Sequence, residues 1–291
     1  MRRSLTLLCG AVLLLAASAH AQAAQQIPPT DISSPEPTRA IQELRLKDGS
    51  VLYGYVELSE PDRIVFKTLA GTTLEVDRRQ IASLEPAKGR LLNGEFLPAD
   101  PNQTRLFFAP TGRSLQRGEA YVGVYQFMLP FVQVGVTDRI SVGAGTPLFF
   151  GGGADRPVWV TPKVQLYRRG AASGAVGIIH FMNIGDGNFG IAYAVTTYGG
   201  SDNALTGGVG YAYARYDEER EATMIGMVGG EHRLSRRVKV VTENYFWQGA
   251  GIASLGVRFL GDRLSADVGL LTPIGGGLVF ALPVVNFVWK F

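Results

Sequence analysis

The chain has 291 residues, with 37 glycines, 10% aromatics and only 18% charged residues. That length allows one large domain or two ordinary ones, and the mixture points to a β-rich protein with tight turns, not to a disordered chain. The formal charge is +3; removing Arg2 and Arg3 with the leader below takes 28 basic residues to 26 against 25 acidic, leaving about +1, too little to recommend nucleic acid or anionic lipid.

The sequence opens MRRSLTLLCGAVLLLAASAHAQAAQQ. Arg2 and Arg3 form a positive n-region, Leu5 to Ala17 an apolar h-region, and Ala19-His20-Ala21 an A-x-A cleavage site, so residues 1–21 read as a secretory signal peptide. The apolar run is short for a retained membrane helix. Cys9 is the only cysteine. It follows Leu8, not a small residue, and precedes most of the h-region, which argues against lipidation. The mature chain then has no disulfide, thiolate nucleophile or cysteine metal site. Residues 22–40, rich in Pro, Ser and Gln, read as a flexible exported linker.

Residues 41–88 are short alternating runs split by Asp-Gly and Ala-Gly turns, and Lys47-Asp48-Gly49-Ser50 is a hairpin signal. They predict a small five-strand β-domain of the SH3 or Sm type, which at about 50 residues is marginal alone. Residues 89–118 form a connector. Its cluster Leu106-Phe107-Phe108 is too short to span a membrane and is expected to pack at the mouth or base of the next domain.

From 119 to 291 the texture is constant. Twelve segments of about ten residues alternate in polarity: 119–129, 131–137, 140–149, 158–168, 174–184, 189–198, 204–216, 221–234, 237–247, 251–260, 264–273 and 278–291. Turn residues separate them, on alternating ends. An even count with this alternation predicts a closed antiparallel barrel, apolar outside and polar within. In 158–167, Val158, Val160, Val164 and Leu166 are expected outside, with Thr161, Lys163, Gln165 and Tyr167 inside. In 264–270, Leu264, Ala266, Val268 and Leu270 oppose Ser265, Asp267 and Gly269. In 189–196, Phe189, Ile191, Tyr193 and Val195 are expected outside, with Gly190, Ala192, Ala194 and Thr196 facing the lumen.

The chain stops on VVNFVWKF. Phe287, Trp289 and Phe291 alternate with Asn286, Val288 and Lys290. This resembles the C-terminal β-signal of bacterial outer-membrane proteins, which implies reading by the barrel-assembly machinery through strand addition. The block TRLFFAPTGRSL with GVTDRISVGAG, within residues 104–150, is similar to a family of uncharacterised bacterial outer-membrane barrels. That resemblance implies a fold and no activity. Two other architectures fit less well. The uncharged stretches 120–137 and 268–289 are long enough for membrane helices, but Pro130, Pro273, Pro283 and the glycines at 275–277 interrupt them. A soluble β-sandwich or propeller does not explain so many apolar faces.

By the alternation, Lys163, Glu231, Lys239, Glu243, Arg258 and Asp267 should line the lumen, three of each sign. A simple hairpin register sets Arg258 near Asp267, and Lys239 near Glu231 and Arg258. They read either as paired charges filling a narrow interior or as a selectivity constriction favouring small polar solutes. An outer-wall lipase would need a Ser-His dyad. The mature chain has His180 in GIIHFMN and His232 in GGEHRLS, with no Ser at an obvious partner position. Neither metal nor cofactor is expected: two isolated histidines are poor ligands, and GGGADRP and PIGGG lack the context of a phosphate loop. Trp159, Tyr245, Trp247, Trp289, Tyr121, Tyr167 and Tyr216 are expected in interfacial girdles.

The sequence thus predicts an all-β, twelve-stranded transmembrane barrel in the outer membrane, preceded by a small periplasmic β-domain. The expected function is a narrow channel for small polar solutes. A structural barrel whose 41–88 domain docks a periplasmic partner is the alternative, and a lipase a distant third.

Overall fold

A computed structural model describes residues 40–92, 95–149, 156–185, 187–216, 219–275 and 280–291. The expected signal peptide, 1–21, and all but the last residue of the expected linker lie outside the described residues.

The first five strands are β1 (Gln42–Leu46), β2 (Val51–Ser59), β3 (Arg63–Thr68), β4 (Thr73–Asp77) and β5 (Ile81–Pro86). They form one antiparallel sheet in the order β4-β3-β2-β1-β5, with a single 3-10 turn, Arg78–Gln80, before β5. Alternation drives it: Leu44, Ile64, Phe66 and Val76 are buried on one face. Gly49 takes a φ of +91°, and the Asp48 carboxylate accepts the Ser50 amide hydrogen at 2.8 Å, closing the first hairpin. A short hairpin, β6 (Gly89–Leu92) and β7 (Glu95–Pro98), follows.

The remaining strands are β8 (Ala120–Tyr125), β9 (Leu129–Gly135), β10 (Ile140–Gly145), β11 (Val158–Val160), β12 (Lys163–Arg169), β13 (Ala172–Ile184), β14 (Gly187–Gly199), β15 (Asn203–Tyr216), β16 (Glu219–Ser235), β17 (Val238–Trp247), β18 (Ala250–Leu260), β19 (Leu264–Ile274) and β20 (Leu282–Lys290). β11 and β12 both run between β10 and β13, so they are two halves of one wall strand, parted at Thr161 and Pro162 because proline cannot donate to the ladder. β20 pairs with β8, Asn286 opposite Tyr125 and Lys290 opposite Tyr121, which closes the barrel. The wall is therefore twelve antiparallel strands. In the stretches 120–137 and 268–289 the described residues form strands and connections, and among the described residues no helix is long and apolar enough to cross a membrane.

Period two holds over most of the wall. Leu205, Val209, Leu255, Leu264, Val268, Leu270, Trp289 and Phe291 are exposed on the outside, while Ser265, Asp267, Asn286 and Val288 are buried within. Three local expectations are corrected. β14 is turned over: Val195 and Thr197 are buried inside and Tyr193 packs against the inner core, while Ala194 and Thr196 face out. The reason is that this inner face meets an apolar segment of the chain, not water. A register shift between Gln165 and Tyr167 turns Tyr167 outward, where its hydroxyl meets Thr196. Trp159, Tyr121 and Tyr245, expected in the girdles, are inside the barrel. Closeness to a strand end does not tell the inner face from the outer.

The small sheet meets the barrel at the end that carries the turns at 200–202 and 261–263. The Tyr53 ring lies 4.4 Å from that of Phe96, its hydroxyl donates to Asp262 Oδ1 at 3.3 Å, and Arg90 pairs with Asp202. The chain enters the wall at Glu119 and leaves it at Phe291 on this same end.

Candidate functional site in the barrel lumen

Residues 99–116 do not pack at the mouth or base of the barrel, as expected for Leu106-Phe107-Phe108. They run into the lumen and fill it. Pro101 and Pro110, which lack an N–H, keep this segment out of a regular sheet ladder, so its backbone polar groups need other partners once buried. The wall supplies them from side chains. Lys163 Nζ donates to the carbonyl oxygens of Thr104 (3.3 Å), Thr111 (3.4 Å) and Arg113 (2.5 Å). Arg258 donates to those of Asn102 (3.1 Å), Arg105 (3.3 Å) and Leu106 (2.6 Å). Asn286 donates to Phe107 O, and Gln165 to Gly112 O. Glu243 Oε2 accepts the amide hydrogens of Phe108 and Ala109, both at 3.0 Å, and Thr197 accepts that of Gly112 at 2.8 Å.

The tip of the segment is apolar. Leu106, Phe107 and Ala109 pack against Ala175, Val195, Met227, Val241 and Val284, which come from five strands around the wall. Phe108 and Leu115 close the other side with Tyr121, Tyr125, Phe131 and Trp159. Ordering a backbone costs about 1–2 kcal/mol per residue. Three large apolar side chains, Leu106, Phe107 and Leu115, are fully buried; at about 1.5–3 kcal/mol each they do not seat so long a segment alone, and the polar anchors add to them.

All six residues expected along the lumen are buried inside the barrel. Arg258 Nε lies 2.6 Å from Asp267 Oδ1, and Lys239 Nζ lies 2.5 Å from Glu231 Oε2. Lys239 and Arg258 stand opposite each other in the β17–β18 register. What joins the two pairs is Asp100, absent from the expected set: its Oδ2 takes Lys239 Nζ at 2.7 Å and Arg258 Nη1 at 3.0 Å. Arg113 pairs with Glu231 at 2.5 Å. Glu243 and Lys163 join no ion pair among the described residues; they hold backbone amides and carbonyls instead. Asp100, Arg105 and Arg113 escaped the sequence reading because the connector has no periodicity to assign an inner face. Its clustered Asp, Arg, Thr and Asn between prolines was the available signal.

A cavity of about 560 Å³ opens where the chain enters the barrel, lined by Lys88, Arg90, Arg113, Arg168, Lys290 and Glu119. It leads to the filled section. The histidines lie elsewhere. His180 Nδ1 is 2.9 Å from the Tyr213 hydroxyl, and His232 is exposed. Among the described residues no cluster of His, Cys, Asp and Glu is arranged to hold a metal ion.

No family model matches the chain, and no curated relative does. Solved structures match weakly. The KdgM porin is 7% identical, covering 60% of this chain and 98% of that one with a TM-score of 0.43. The NanC porin is 9% identical, covering 59% and 97% with a TM-score of 0.39. A loop-deletion mutant of OmpT, an outer membrane protein of Vibrio cholerae, is 10% identical, covering 86% and 96% with a TM-score of 0.39. Likeness at this level carries no argument about what the chain does.

Proposed function

We propose that this chain is a bacterial outer-membrane barrel that acts as a narrow channel for small polar solutes and is closed, as folded here, by its own segment 99–116. The observation that carries this reading is the chemistry of the contact between plug and wall. A permanently filled barrel can be packed with apolar side chains. Here the wall holds the plug's backbone through Lys163, Gln165, Thr197, Glu243, Arg258 and Asn286, whose hydrogen bonds water can replace if the segment leaves. The bared wall would carry charges of both signs beside an apolar patch at Ala175, Val195, Met227, Val241 and Val284, so it favours polar solutes of no single sign only along its charged side. The basic cavity at one mouth serves as its vestibule.

The membrane placement is supported by the apolar outer face of the wall, which water would not favour over so large an area. The small sheet, read as an SH3- or Sm-like domain, then stands on the periplasmic side with the short turns and both ends of the wall. Phe287, Trp289 and Phe291 serve as the signal for the barrel-assembly machinery. A second reading is favoured by the edge strand β4, paired on one side only among the described residues: the barrel anchors the small sheet for a periplasmic partner that adds a strand there.

Planar-bilayer recording of the full mature chain separates the two. The channel reading expects a shut baseline, with small openings that appear in mild denaturant and vanish when it is washed out. A baseline that stays shut at every concentration below barrel unfolding would remove the channel and leave the anchor.

A further inference from the structure

Most buried cations in the lumen have a carboxylate beside them: Arg113 has Glu231, Lys239 has Asp100 and Glu231, and Arg258 has Asp267 and Asp100. Arg105 of the plug and Lys163 of the wall do not. Among the described residues neither has a carboxylate within ion-pair distance. Both line one small pocket of about 30 Å³, together with Thr104, Tyr121, Ser141 and Thr161. Lys163 is 5% exposed and spends its donors on three carbonyl oxygens. Arg105 gives Nε to the Tyr121 hydroxyl at 2.9 Å and Nη2 to Gln133 at 3.1 Å, with its guanidinium 4.7 Å from the Phe131 ring centre. That leaves N–H groups of the guanidinium over. Ser141 is 1% exposed, and its hydroxyl has no hydrogen-bond partner.

A buried ammonium without a counter-charge, a half-buried guanidinium with donors to spare and an unspent hydroxyl therefore line one pocket. Buried charge without a counter-charge is strongly unfavourable. The pocket has room for one or two water-sized particles, too little for a phosphate, sulfate or carboxylate ligand. We propose that it is a site for a single monatomic anion, chloride or a like halide, held between Arg105 and Lys163 and touched by the Ser141 hydroxyl. Because one cation belongs to the plug and the other to the wall, the bound ion fastens segment 99–116 into the barrel. The proposal needs the filled lumen, not the channel function, so a barrel that never conducts can still satisfy it.

The test uses the full mature chain in micelles. Its unfolding temperature is read in sodium chloride and in sodium gluconate at equal ionic strength, for the natural sequence, Lys163→Met and Ser141→Ala. Crystals grown in bromide are measured for anomalous scattering. An ion bound only by the folded state raises the unfolding temperature with its concentration. The expected result is a saturable rise in chloride and none in gluconate, reduced in Ser141→Ala and lost in Lys163→Met, with a bromide peak in the pocket. If Lys163→Met does not fold, Ser141→Ala, which removes one unpartnered hydroxyl, decides. Equal temperatures in the two salts, a chloride effect undiminished in Ser141→Ala, or a pocket without a bromide peak would each overturn the proposal, leaving water as the occupant.

Discussion

Asp100→Asn tests the closed lumen at its most connected point. Asp100 belongs to the plug, so the substitution leaves the wall sequence intact. Its carboxylate takes Lys239 at 2.7 Å, Arg258 at 3.0 Å and the Asn102 amide at 2.8 Å, and all three charged side chains are essentially inaccessible to water. The cluster holds Lys239, Arg258 and Arg113 against Asp100, Asp267 and Glu231. Removing one negative charge leaves one positive charge over. Breaking such a buried pair costs about 3–5 kcal/mol. The lower figure applies because an amide oxygen remains and both cations keep another carboxylate. The penalty falls on the plugged state alone, since water solvates the cations once the plug is out. About 3 kcal/mol is roughly a hundredfold in the ratio of open to closed. The assay is open probability in planar bilayers, with circular dichroism confirming an intact barrel. An Asp100→Asn barrel that folds and stays as shut as the natural sequence would refute the role given to this cluster.

Three other perturbations probe separate parts of the structure. A Cβ on Gly112 would lie 2.2 Å from Ser173 O, so Gly112→Ala should unseat the plug by about 1–3 kcal/mol and raise open probability; an unchanged record would place the plug farther from the wall. Leu255 points outward near the middle of β18 and is 62% exposed, so Leu255→Arg should weaken folding into vesicles by about 2–4 kcal/mol, whereas an indifferent outcome would deny that this face meets lipid. Glu119, just ahead of β8, is half-buried, which opposes its ionisation. Lys88, the Gln116 amide and Lys290 outweigh that and hold its carboxyl at about 2, below the usual 4.5. Since the folded value is the lower one, its contribution is complete above pH 4.5 and is lost as pH falls towards 2. Unfolding temperature against pH should therefore be flatter over that window in Glu119→Gln, and parallel curves would contradict the pairing.

Most of the wall was legible because two solvents impose one period. An apolar outer face and polar surroundings inside put Leu264, Val268 and Leu270 on one face and Ser265 and Asp267 on the other, and a hairpin register then brings Arg258 to Asp267. The reading failed where a third environment entered. β14 faces the apolar tip of the plug, so its larger side chains turn inward and the polarity rule inverts. Tyr121 and Trp159 also go inside, into the apolar cluster that the wall shares with Leu115 and Phe108 of the plug. The plug itself was illegible as such. A segment whose backbone is satisfied by distant side chains has no period, and the partners of Asp100 lie 139 and 158 residues away. Only the closed wall brings them together.

The claim on which the rest stands is that residues 99–116 sit inside the closed barrel. Hydrogen exchange of the full mature chain in lipid tests it without any substitution. The amides of Leu106, Phe108, Ala109, Thr111 and Gly112 all carry hydrogen bonds within the lumen. They are expected to exchange as slowly as those of the neighbouring wall strands. Exchange at the rate of an unstructured linker, with the wall still protected, would contradict it.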